Sequence, residues 1–156
     1  MASEVAGEHL QKQTLTILVF APDHPDRTSS AVFGRTRDKL IKHNPAAKCY
    51  IDNEHCDHDH PMELHHQFVE WCDSEAVDWR KVAELCPDFE WEHFNPDHPE
   101  TFVDSEANAR MVLCKRHHVG KDHGIHMLPW PLWNLQKVKK KDFVFSPDEE
   151  PTLPGL

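Results

Sequence analysis

Glu63-Leu64-His65-His66 and Leu113-Cys114-Lys115-Arg116-His117-His118 decide how this chain is read, with Asn108 just ahead of the second stretch. Cys49 and Cys56 precede the first histidine doublet, and Cys114 opens the second. Zinc favours four Cys and His ligands in tetrahedral geometry, so Cys49, Cys56, Cys114 and His117 form one closed set for a structural ion. The Cys114-x-x-His117 half has ordinary spacing. Cys49 and Cys56 have six residues between them, wider than a usual knuckle, and Asp52 or His55 could stand in for Cys56. His65, His66 and His118 remain for a second, open site. Neighbouring strand residues point to opposite faces, so His65 and His66 can serve one site only if the backbone turns there.

Outward from the doublets, the chain reads as a small α+β domain over residues 1–145. Residues 14–20 form a β-rich apolar run. Thr28-Ser29-Ser30 can cap a helix over 31–42 that ends at Asn44-Pro45. Short strands are expected over 62–68 and 107–114. Between them, Ser74 offers an N-cap for a helix reaching Leu85. Residues 87–104, with three prolines and six acids, read as an acidic central loop. A short helix follows the second strand and is broken by Gly120 and Gly124, and an amphipathic stretch covers 132–138. Residues 146–156 read as a flexible tail.

Among 156 residues the hydrophobic share is 38%, low enough that a bound metal is expected to complete the stability of the fold. No apolar run reaches the length of a membrane span, and the first ten residues lack a signal-peptide core, so a soluble, cytoplasmic protein is expected. Five cysteines, an odd number with several beside histidines, argue for ligation rather than disulfides. Cys72 and Cys86 are left over and are expected as small buried hydrophobes.

The net charge is −10, but it is segregated. Residues 27–48 carry six basic and one acidic side chain, and 110–142 carry eight basic and two acidic. Residues 51–107 carry seventeen acidic and two basic. Such a pattern reads either as an ordinary solvated surface or as a basic nucleic-acid face backed by an acidic one. On the second reading, Lys115, Arg116, Lys121, Lys139 and Lys140, with Lys137 and Lys141 beside them, contact phosphates. Trp130 and Trp133 either stack on bases or pack in the core. His55, His58 and His60 read as solvated side chains in an acidic patch.

The ordered set of Cys, Cys, His-His, Asn, Cys-x-x-His-His and a later His resembles the HNH nucleases, the ββα-metal or His-Me finger group, of phage and bacterial type. The likeness covers residues 48–79 and 103–136, and places the finger at about 48–128. It implies a metal-dependent DNA endonuclease in a bacterial cell, with DNA as partner and a phage or host protein as a further one. By that resemblance His65 is a metal ligand and His66 the general base. His118 is a further ligand from the following helix, and Asn108 holds the loop and orients the base. The cofactors implied are a structural Zn²⁺ and a catalytic divalent ion such as Mg²⁺, Mn²⁺ or Ni²⁺. The last ligand departs from simple helical spacing, which would land on Asp122. His126 matches the closing segment best, with His123 and then Asp122 behind it. A catalytically inactive zinc-binding module of the same fold, and an acidic interaction protein using residues 51–107, are the rival readings.

Overall fold

The computed structural model describes residues 18–149 apart from 21, 24–26 and 28. Strand β1 (Glu63–His66) pairs antiparallel with β2 (Ala109–Leu113), Leu64 opposite Val112 and His65 opposite Met111. The register shifts between His65 and His66, so His66 faces Ala109. The extra residue is Arg110 on β2, so the ladder is irregular where it meets the doublet. Helix α4 (Lys115–Val119) leaves β2 directly and rests on both strands. The architecture is a small mixed domain of short helices around a two-stranded sheet.

Ser30 sits in extended backbone before helix α1 (Ala31–Arg37), and its Oγ accepts from Phe33 N at 2.9 Å. That is the capping expected of the Thr-Ser-Ser run. The helix keeps α geometry only to Arg37, then widens into a π-helical turn, Asp38–Lys42. Of the strand expected over 14–20, residues 14–17 lie outside the described part. Leu18, Val19 and Phe20 form no strand and are exposed.

The helix expected from Ser74 begins later. Ser74 Oγ donates to Trp71 O at 2.9 Å inside a 3₁₀ turn, Trp71–Ala76, and Val77 is extended. Helix α2 (Trp79–Leu85) is capped instead by Asp78, whose carboxylate accepts from Arg80 N at 3.1 Å. Cys72 lies exposed on the 3₁₀ turn rather than buried, and Cys86 is half-buried.

The acidic loop is not structureless. It contains a 3₁₀ turn, Trp91–His93, and helix α3 (Glu100–Val103), with Phe102 and Val103 fully buried. Trp79, Phe89 and Trp91 ring Phe102, with Trp91 and Phe102 centroids 4.9 Å apart, and Phe94 packs on those three rings. Asp88, Glu90, Glu92 and Asp97 are exposed, Asp104 is buried, and the interleaved aromatics build a core with Val69 and Val82. Thr36 Oγ1 donates to Asp104 O at 2.7 Å and docks α1 on this unit.

A second core gathers Cys49, Ile51, Leu113, Cys114 and Trp133. Trp133 comes from helix α5 (Trp130–Val138), which starts at a Pro129/Pro131 entry; it is fully buried and stacks on Tyr50 at 5.7 Å. The packing role of Trp133 leaves only Trp130 half-exposed beside it. The start of the expected tail is docked: Pro147–Glu149 form a 3₁₀ turn, and the Glu149 side chain is 3% exposed. Residues 150–156 lie outside the described part. Among the described residues no helix is long and apolar enough to cross a membrane.

Candidate metal centres

Cys49, Cys56, Cys114 and His117 converge so that their ligand atoms all lie within 4.8 Å of one another. Cys49 follows the chain into extended backbone that pairs Tyr50 N with Val112 O at 2.8 Å. Asp52 then takes a left-handed conformation, φ 49°, and Asn53 Oδ1 accepts from His55 N at 2.9 Å. This tight reversal returns Cys56 toward Cys49 and explains how six intervening residues still close a site. Asp52 is drawn away by Lys48 at 3.0 Å. His55 turns to Glu54 and Glu149, so neither replaces Cys56.

His117 Nδ1 lies 3.7, 3.6 and 3.1 Å from the sulfurs of Cys49, Cys56 and Cys114. Ligand bonds of about 2.0–2.3 Å in a tetrahedron separate donor atoms by similar amounts, so these side chains fit an ion of zinc's size and softness. All five cysteines are free thiols. Hydrogen bonds from Cys114 and then Cys56 hold the Cys49 thiol down at about 2, while Cys114 and Cys49 push Cys56 well up. Three sulfurs crowd around one imidazole nitrogen, a donor set that a dication holds together once the thiols ionise. Trp133 Nε1 donates to His117 O at 2.9 Å and ties the centre to α5.

The second cluster joins His65, His118 and His126. His118 donates Nδ1–H to Glu63 Oε2 at 2.6 Å, which leaves its Nε2 facing His126 Nε2 at 3.1 Å. His65 stands edge-on to both rings, and its buried Nδ1 has no partner among the described residues. Burial, then the neighbouring His126, lowers the His65 pKa to about 4, so the ring is neutral at neutral pH and keeps one nitrogen lone pair for a ligand bond. Burial, then His118, also lowers His126. A three-imidazole set with an orphaned buried nitrogen fits a transition-metal ion. It suits Mg²⁺ poorly, because that ion takes oxygen ligands.

His126 reaches the cluster because the chain after α4 folds back: Ile125 N donates to His117 O at 2.9 Å, and Gly124 N to Gly120 O at 2.8 Å. A Cβ at Gly124 would sit 2.7 Å from His118 O, so only glycine allows this approach. His123, weighed as an alternative ligand, is elsewhere. It is 2% exposed, with Nδ1 3.1 Å from Gln136 Oε1 and Nε2 3.0 Å from Asp148. Asp122 turns outward in left-handed backbone, φ 64°.

His66 lines a cleft of about 420 Å³ together with Arg27, Phe33, Glu70, His118 and His126. Its Nε2 lies 2.9 Å from Asp104 Oδ1 and its Nδ1 3.5 Å from Glu70 Oε2. Burial works to lower its pKa, but the bonds to Asp104 and Glu70 outweigh that and raise it. Asn108 is fully buried and holds the loop after β1: Oδ1 accepts from Phe68 N and Val69 N, and Nδ2 donates to Val69 O and Val103 O. None of its side-chain bonds goes to His66, whose ring nitrogens are met instead by Asp104 and Glu70.

Three carboxylates, Glu63, Glu70 and Asp104, were missed from sequence. Glu63 had a signal, since residues two apart on a strand share a face and Glu63 lies two before His65. Asp104 had none, being thirty-eight positions from its partner. Of the basic residues, Lys115, Arg116 and Lys121 line an open pocket beside the Cys/His centre. Lys139 turns onto Phe143 O at 2.8 Å, and Lys137 lies over the Tyr50 ring. Lys140 is exposed. No family model, curated protein or solved structure matches the chain.

Proposed function

We propose that the chain is a metal-dependent DNA endonuclease of HNH type. The observation that carries this reading is a cluster of His65, His118 and His126, of which His118 and His126 line the same cleft as His66, beside a separate Cys₃His cluster. Phosphodiester hydrolysis needs a proton acceptor for water and a cation at the phosphate. His66 is the acceptor. Its Nε2–H is donated to Asp104, which leaves Nδ1 to take the proton of an attacking water. His65, His118 and His126 would hold the divalent ion, whose contribution is to neutralise charge on the phosphate and leaving oxygen. Cys49, Cys56, Cys114 and His117 would hold zinc, which ties the chain before β1 to the turn after β2. Lys115, Arg116, Lys121 and Lys140 offer phosphate contacts outside the cleft.

Purified protein incubated with supercoiled plasmid and Mn²⁺, Ni²⁺ or Mg²⁺ tests the reading. Cleavage is expected, better supported by Mn²⁺ or Ni²⁺ than by Mg²⁺. His66→Ala should lower it by roughly two to four orders of magnitude with fold and metal content intact. His118→Ala should lose the divalent ion together with the activity. A wild type that cleaves with none of these ions, or a His66→Ala variant at full rate, ends the nuclease reading in favour of a zinc-bound binding module.

A further inference from the structure

Asp104 closes the C-terminal end of α3, and its side chain is only 2% exposed. Three donors from distant parts of the chain converge on that carboxylate. Arg27 Nη2 reaches Oδ1 at 2.6 Å, Ser30 Oγ reaches Oδ2 at 2.7 Å, and His66 Nε2 lies 2.9 Å from Oδ1. Burying a carboxylate is costly unless it is paired and hydrogen-bonded. An ionised carboxylate only accepts, so His66 must present Nε2–H to it, and the lone pair of the neutral ring is then on Nδ1. Nδ1 is the nitrogen on the side of Glu70, which lines the cleft with His118 and His126.

We propose that Asp104 is the positioning residue of this site: it fixes the Nε2–H form of His66 and turns Nδ1 toward a phosphodiester in the cleft, while Arg27 and Ser30 clamp the carboxylate in place. The part concerning the phosphodiester rests on the nuclease reading, and the hydrogen bond itself does not. Arg27 gains a second role from the same geometry. Its guanidinium is one-third exposed at the cleft, so the carboxylate that aligns the base also fixes a cation beside the substrate.

Proton and nitrogen NMR of the zinc-loaded protein tests this directly. Wild type should show a downfield imidazole Nε2–H resonance, slow to exchange with solvent and absent in His66→Gln. Asp104→Ala should abolish that resonance and lower kcat by on the order of 10²–10⁴, with KM changed only a few-fold. A role in folding alone would not split kcat from KM in this way. Absence of the resonance from folded wild type overturns the proposal without any variant, so a poorly folding Asp104→Ala cannot shelter it. A folded Asp104→Ala that keeps the resonance or the wild-type kcat overturns it as well. A wild type that shows the resonance yet cleaves no DNA defeats the nuclease reading and leaves the Asp104–His66 bond standing.

Discussion

His65 and His66 are chain neighbours that the fold pushes in opposite electrostatic directions. Burial and adjacent imidazoles lower His65 to about 4, whereas the carboxylates of Asp104 and Glu70 overcome burial and raise His66. Their contributions to stability therefore have opposite pH dependence. His65 binds its proton more readily unfolded, so its neutral folded form loses stability as pH falls from about 6.5 toward 4. The charged His66 adds stability that is complete below the ordinary histidine value and is lost as pH rises through its higher folded one. Relative to His65→Gln, wild type should thus lose stability between pH 6.5 and 4 in thermal melts. Parallel curves for the two proteins would remove His65 as a buried neutral ligand. Glu63 acts on the same cluster through His118. Glu63→Gln should weaken Mn²⁺ or Ni²⁺ binding by about 10–100-fold in calorimetry, the usual cost of losing a carboxylate that orients a ligating histidine. Unchanged affinity would make that bond incidental.

The return segment after α4 is the element on which the open site depends, because it alone brings in His126. Gly124 is pressed against His118 O and Gly120 N, so Gly124→Ala must displace the segment. The variant should keep its Cys₃His zinc while losing ion affinity at the three histidines. Loss of both ions together would show the two centres to be one cooperative unit. This segment also shows what could be read in the chain. Gly120 and Gly124 announced a broken helix, and the motif likeness favoured His126, but no spacing rule could choose among Asp122, His123 and His126. Only the backbone path does, by burying His123 under Gln136 and turning Asp122 outward. The two strands and α4 were legible because the His doublets and Cys114 mark their ends. The core around Phe102 was not, since six acids and three prolines masked four aromatics whose spacing follows neither a helix nor a strand period. Helix α2 was misplaced by one turn because Ser74 and Asp78 are both competent caps, and Ser74 Oγ is spent on Trp71 O while Asp78 caps.

At the scale of the molecule, charge and the acidic end of the described chain oppose each other around α4. The protein carries −10 overall, yet Lys115, Arg116 and Lys121 gather beside the Cys/His centre. Over that face lies the turn Pro147–Glu149. Asp148 Oδ2 accepts from Arg116 Nη2 at 3.3 Å and lies 3.0 Å from His123 Nε2, while the Glu149 carboxylate is buried 3.9 Å from the same guanidinium. An arginine engaged by two carboxylates is less free to meet a phosphate, so on the proposed function the turn competes with DNA for Arg116. Phosphate binding releases counterions and weakens steeply with salt. Asp148→Asn should therefore tighten DNA binding and steepen its salt slope, by up to about one unit if Arg116 gains one phosphate contact. Asp148 is the better residue to change, because it is half-exposed whereas Glu149 is anchored in the fold. Lys139/Lys140/Lys141→Glu should act in the opposite sense and leave zinc content unchanged. Fluorescence anisotropy of a labelled duplex between 50 and 200 mM salt reads both effects. If Asp148→Asn binds DNA as wild type does at every salt concentration, the turn does not shield Arg116, and the nucleic-acid face must lie at the cleft around Arg27 instead.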